Sequence, residues 1–110
     1  MEFKKVKIVT FVPIKNADAV RKAIGLAGAG KIGEYDFCNY SVIGMGRFIP
    51  TSKANPRIGS ANTLESVDEE RIEVNCDRSL ASNVIKAIKS AHPYEEVPID
   101  IYPLLEETDL

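Results

Sequence analysis

Alternating apolar positions open the chain. Val6, Ile8, Thr10 and Val12 fall on one face of an extended segment, with Lys5, Lys7, Val9 and Phe11 on the other, so a strand is predicted over Lys4–Val12. Pro13 ends it. Asn16 then reads as a helix N-cap, and Val20, Ala23, Ile24 and Ala27 follow at helical spacing, which predicts an amphipathic helix over Ala17–Ala27. Gly28 and Gly30 supply the left-handed stop. A second extended segment is predicted over Tyr35–Ile43, with Cys38 as a packed thiol within it. Gly44-Met45-Gly46 reads as a tight turn that leads Arg47–Ile49 back as a short hairpin strand. The polar stretch Pro50–Ser66 is long for a loop, a length usual for functional or disordered segments.

The second half repeats the alternation. Ile72, Val74 and Cys76 share one face of a strand over Glu69–Cys76, and Asp77 is placed to cap a helix whose buried stripe is Leu80, Val84, Ala87, Ile88 and Ala91. Proline disfavours the helical conformation in the residue before it, so Pro93 stops this helix at Ala91 or His92. A last strand is expected over Val97–Leu104, with Ile99 and Ile101 inward, and the acidic tail Glu106–Leu110 as a frayed end. The order β-α-β-(β)-β-α-β predicts an α+β fold of ferredoxin-like type, in which a split βαβ sandwich lays two helices on one face of an antiparallel sheet. Val9, Phe11, Tyr35, Phe37 and Ile43 leave apolar groups on both sheet faces, and self-association as a dimer or trimer is the simplest cover.

Composition narrows the classes. A chain of 110 residues with 45% hydrophobic and 27% charged content matches one globular domain, residues 1–110. A net charge of −2 with scattered basic residues predicts no nucleic-acid partner. No segment has the ~20 apolar residues of a membrane span, and no secretory signal opens the chain, so no membrane partner and a cytoplasmic setting are expected. Two cysteines far apart and one histidine fall short of a zinc site within one chain. Gly28-Ala29-Gly30-Lys31-Ile32-Gly33 matches a dinucleotide-binding string but follows a helix and precedes a strand, the reverse of what a phosphate site needs. It reads as a turn, and no cofactor is expected.

Candidate chemistry concentrates at His92-Pro93-Tyr94-Glu95-Glu96, where a helix hands over to a strand. His92 suits either a local brace or a ligand contact, and with Glu95 or Glu96 it offers nitrogen and oxygen donors to an ion shared between subunits. Glu69-Glu70 reads as a solvated face. No nucleophile is visible. A ligand site is therefore placed on His92, Tyr94, Glu95 and Glu96 together with Gly44, Gly46 and Arg47.

Several pieces occur in one order: Gly28-Ala29-Gly30-Lys31-Ile32-Gly33-Glu34-Tyr35, Cys38, Gly44-Met45-Gly46-Arg47-Phe48-Ile49-Pro50, Asn55-Pro56-Arg57-Ile58-Gly59, Glu70-Arg71-Ile72-Glu73 and His92-Pro93-Tyr94-Glu95-Glu96. The ordered set resembles the insert domain of the Nif-three-like family (YqfO, GTP cyclohydrolase type 2 homologues), here as a stand-alone domain. The resemblance implies a fold similar to the CutA and PII group, which packs as trimers or other small oligomers. Family members with the full architecture carry two flanking lobes around a dinuclear metal centre. This sequence shows neither lobe, so the resemblance implies the insert domain without that metal chemistry. The leading expectation is a non-catalytic oligomeric binding or regulatory module with a small-molecule or ion site near a subunit interface. The alternatives are an interaction module docking on a separate metal-binding partner, and a small enzyme using His92 and Glu95 as acid and base.

Overall fold

Pro13 both closes the first strand and opens the first helix in the computed structural model, which describes residues 2–110. Strand β1 is Lys5–Pro13 and helix α1 is Ile14–Leu26. The helix starts earlier than the sequence predicted, because a proline is well suited to the position just before helical residues. Asn16 consequently lies within the first turn and does not cap: no side-chain cap bond forms, and its Oδ1 is buried without a partner. The buried stripe of α1 is Ala17, Val20 and Ile24.

Strand β2 is Tyr40–Phe48 and β3 is Glu65–Asp77. Here the structure corrects the expected turn at Gly44-Met45-Gly46 and the returning strand Arg47–Ile49. The chain stays extended through both glycines, and β2 pairs antiparallel with β3 from Tyr40 opposite Glu73 to Phe48 opposite Glu65. The register on β3 offers a partner to each of these residues, so nothing requires the chain to reverse until residues 49–64. The expected extended segment from Tyr35 is a loop up to Asn39 apart from one bridge between Ile32 and Tyr35, and Cys38 sits in that loop, partly buried.

A 3-10 turn at Arg78–Leu80 leads into helix α2, Ala81–Ala91, with Val84 and Ile88 buried. Asp77 forms no cap bond and pairs instead with Lys5 across the sheet. Strand β4 is Ile99–Leu104, shorter than expected; Ile101 stands opposite Ile8 on the helix-side face but, on this edge strand, stays 48% exposed. The tail is not frayed throughout: Glu107–Asp109 forms a 3-10 turn closed by a capping box between Glu106 and Asp109.

The sheet order is β2-β3-β1-β4, and all three pairings are antiparallel. This is the ferredoxin-like α+β architecture, with the core between the sheet and both helices. Val6, Ile8, Val12, Ile72, Val74 and Cys76 face Val20, Ile24, Val84 and Ile88 there. Each fully buried Val or Ile contributes on the order of 1.5–3 kcal/mol relative to exposure. On the opposite face Val9 is fully buried, opposite Glu73 and Asp100 in the pairing register. Arg71 covers the Phe11 ring at 5.4 Å, and Glu73 holds both Lys7 (3.2 Å) and Arg71 (3.1 Å). That face is thus part ionic, and its exposed apolar groups are Tyr40, Val42 and Tyr102. Ile43 lies on the helix side, opposite Glu70, whose carboxylate pairs with Arg21 of α1.

Candidate functional site

Helix α2 ends where Pro93 requires. His92 is its C-cap in an extended conformation (φ −84°, ψ 138°), and its N–H donates to the Ile88 carbonyl at 2.9 Å. The sequence after it crosses the end of the sheet. Thr10, buried in β1, donates its hydroxyl to the Pro98 carbonyl at 2.8 Å and holds that crossing in place.

His92 is 7% exposed and both its ring nitrogens are engaged. Nε2 faces the Phe11 carbonyl at 2.7 Å, and Nδ1 accepts the Tyr94 N–H at 3.1 Å. These two partners select the neutral tautomer with the proton on Nε2. Burial pulls the imidazole pKa below its ordinary value, against weaker upward pulls from the Phe11 carbonyl and the Glu69 charge. The ring packs against Tyr94, with centroids 4.8 Å apart.

Tyr94 extends this brace to the far side of the sheet. Its hydroxyl donates to Glu69 Oε2 at 2.7 Å. Burial, and then the Glu69 carboxylate, push the phenol pKa far above its ordinary value, so the hydroxyl stays a donor. Glu69 itself is 9% exposed, which corrects its reading as part of a solvated face. It belongs to the helix-free side of β3, opposite Pro13 and Gly44, and its carboxyl leans over Gly46, where a Cβ would overlap it. Glu70, its neighbour, is half-buried against α1 through Arg21.

Around Glu69 the chain leaves a cleft of about 590 Å³. Phe11, Phe48 and Tyr94 supply aromatic walls, with the Phe48 and Tyr94 rings 6.4 Å apart, and Ile49, Pro56 and Ile58 come from the 49–64 loop. That loop is tied to the opposite rim where the Asn55 N–H donates to Glu95 Oε2 at 3.1 Å. Of the residues singled out in the sequence, Gly46, Arg47, Tyr94, Glu95 and Glu96 line the cleft. Gly44 lies two residues along β2 from Gly46, and His92 sits behind Tyr94 instead of in the lining. Glu69, Phe11 and Phe48 were missed. The only signal for Glu69 was a carboxylate breaking the start of an alternating strand.

Among the described residues no group of three or more His, Cys, Asp or Glu side chains is placed to hold a metal ion. With both His92 nitrogens taken, this chain does not fit the donor set of a dinuclear centre. The glycine string forms a turn: Gly28, Gly30 and Gly33 have φ of 96°, 82° and 57°, and the turn is sealed onto β3 by Gly30 N–H to Asn75 O at 2.9 Å. No described helix is long and apolar enough to cross a membrane.

No protein-family model matches the chain. Curated relatives do: the GTP cyclohydrolase 1 type 2 homologue of Mycobacterium bovis is 46% identical over 99 residues, 90% of this chain and 26% of the relative. That of Bacillus subtilis is 46% identical over 98 residues, 89% of this chain and 26% of the relative. The chain therefore spans about a quarter of the length of the curated relatives it matches. Among solved structures, a Bacillus cereus protein related to NIF3 superposes with a TM-score of 0.83 at 46% identity, over 94% of this chain and 26% of that one. The periplasmic divalent cation tolerance protein CutA of Archaeoglobus fulgidus superposes with a TM-score of 0.68 at 15% identity, over 93% of this chain and 85% of that one. B. subtilis GlnK, in complex with ATP, gives 0.63 at 12% identity, over 94% and 84%. The last two share the fold alone. Sequence identity over nine-tenths of its length, with the matching backbone, makes this chain similar to one domain, about a quarter of the length, of the Nif-three-like (NIF3-related, GTP cyclohydrolase 1 type 2 homologue) proteins, and its fold is CutA/PII-like.

Proposed function

We propose that residues 1–110 act as one non-catalytic binding or regulatory domain that takes a small molecule in the cleft beneath the 49–64 loop and associates with copies of itself. The observation that carries this reading is the cleft itself. Apolar walls surround a few convergent polar groups, Glu69 and Tyr94 at the base and Glu95, Glu96, Arg47 and Arg57 around them, the make-up typical of small-molecule sites. His92 serves as a positioning residue that holds Tyr94 against Glu69. It has no free nitrogen for acid–base work or for an ion, so the binding reading is preferred to an enzyme using His92 and Glu95.

Self-association is supported by large exposed apolar side chains along the edge strand β2: Tyr40 at 69%, Val42 at 49%, Ile43 at 64% and Met45 at 52%. A cytoplasmic setting goes with the proposal, as Cys38 and Cys76 are both free thiols. One observation favours a second reading, docking on a separate metal-binding partner: the relatives carry this domain as only 26% of their length. Native mass spectrometry of freshly purified protein tests the first reading, with two or more chains and a retained small molecule as the expected result. A bare monomer to which no small molecule binds would overturn it.

A further inference from the structure

We infer that the cleft is built for a small molecule carrying a protonated amine, seated with its ammonium on Glu69 and its apolar body against Phe48, Tyr94 and Ile58. This rests on reading the cleft as a ligand site and names what that site takes. Glu69 is more than nine-tenths buried, yet no cationic side chain pairs with it among the described residues. Tyr94 occupies Oε2, while Oε1 lies over Gly46, a cleft-lining residue, without a hydrogen-bond partner among the described residues. Oε1 is thus the one oxygen of a largely buried carboxylate left open toward the cleft, and an ammonium seated there supplies it with a charge-assisted bond.

The surroundings suit the same head group. The faces of aromatic rings attract cations, and the Phe48 and Tyr94 rings stand 6.4 Å apart beside the carboxylate. Neither nearby arginine competes for the base. Arg47 directs Nη2 toward the Met45 sulfur at 3.5 Å, and Met45 is not in the lining. Arg57 is exposed on the 49–64 loop. An anionic head group would meet Glu69 at the base and find its cations only outside it. Glycine at position 46 fits this picture: it admits the Glu69 carboxyl to the cleft, and any larger residue would displace it.

The test is titration of the isotope-labelled chain, followed by amide NMR, with three probes of one shape: phenethylamine, 2-phenylethanol and phenylacetate. Phenethylamine is expected to shift Gly46, Asn55 and Tyr94, and to bind roughly ten-fold or more tighter than the alcohol, since hydrogen bonds to charged groups are the stronger class. Glu69→Gln keeps an acceptor for Tyr94 and should bring the amine down to the level of the alcohol. If that variant does not fold, the comparison of amine with alcohol on the wild type decides alone. Equal binding of amine and alcohol, or tighter binding of phenylacetate, sinks the ammonium assignment while leaving the cleft as a ligand site. No shift at the cleft with any probe sinks both.

Discussion

The carboxyl of Glu69 occupies the space that a side chain at position 46 would need. The two residues stand on neighbouring strands, Gly46 opposite Val67 and Glu69 opposite Gly44. Gly46→Ala should therefore force Glu69 away from Tyr94, at a cost of about 1–3 kcal/mol, the usual range for overpacking. Gly44→Ala is the control: nothing lies within 4 Å of its added Cβ, and it should leave stability unchanged or slightly raised. Thermal unfolding of the two variants checks this, and an equal loss in both would contradict the arrangement.

Removing the hydroxyl of Tyr94 tests the same bond from the other side. Tyr94→Phe leaves the buried Glu69 without its donor and should cost about 1–3 kcal/mol, the usual penalty for an orphaned buried polar group. In the wild type one tyrosine should resist alkaline titration, followed by tyrosinate absorbance, and that resistance should vanish in the variant.

Protonation of His92 should destabilise the fold. Its folded pKa lies below its unfolded value of ~6.5, so the unfolded chain binds the proton more readily. The stability that neutral His92 contributes is fully present above that unfolded pKa and is lost as pH falls through the lower folded pKa. The unfolding midpoint of the wild type should drop from neutral pH to mildly acid pH. His92→Asn should be less stable at neutral pH and show a shallower slope across that window. Identical slopes would remove His92 from the account.

The glycine turn offers a contrast between two positions of positive φ. A side chain at Gly30 (φ 82°) would run into the backbone of Cys38, whereas at Gly33 (φ 57°) nothing lies within 4 Å. Gly30→Ala should cost several times what Gly33→Asn costs, since asparagine tolerates the left-handed region. Adding NAD or ATP should stabilise neither the wild type nor the variants; saturable stabilisation lost on substitution would reinstate a nucleotide site at this turn.

Self-association should depend on β2. Light scattering at micromolar concentration is expected to give a mass of at least two chains, and Val42→Lys, which replaces an exposed apolar side chain next to Tyr40 with a charge, should shift the mass toward one. A wild type that stays monomeric would refute the proposed assembly.

Elements whose signal lies within a few neighbouring residues were legible in the sequence: the alternation of β1 and β3, the Val84–Ile88 stripe of α2, its stop before Pro93, and the left-handed glycines after α1. Each records a choice the chain makes with its own neighbours, such as a proline's effect on the residue before it or the freedom of a glycine. The same local reasoning misjudged Gly44-Met45-Gly46. Two glycines favour a turn in isolation, but pairing with β3 holds them extended and turns the second one into room for Glu69. The cleft was out of reach for a related reason. His92 meets a carbonyl 81 residues away and Tyr94 a carboxylate 25 residues away, so the partners that bury Glu69 and fix the imidazole exist only once the sheet has brought β1, β2, β3 and the end of α2 together.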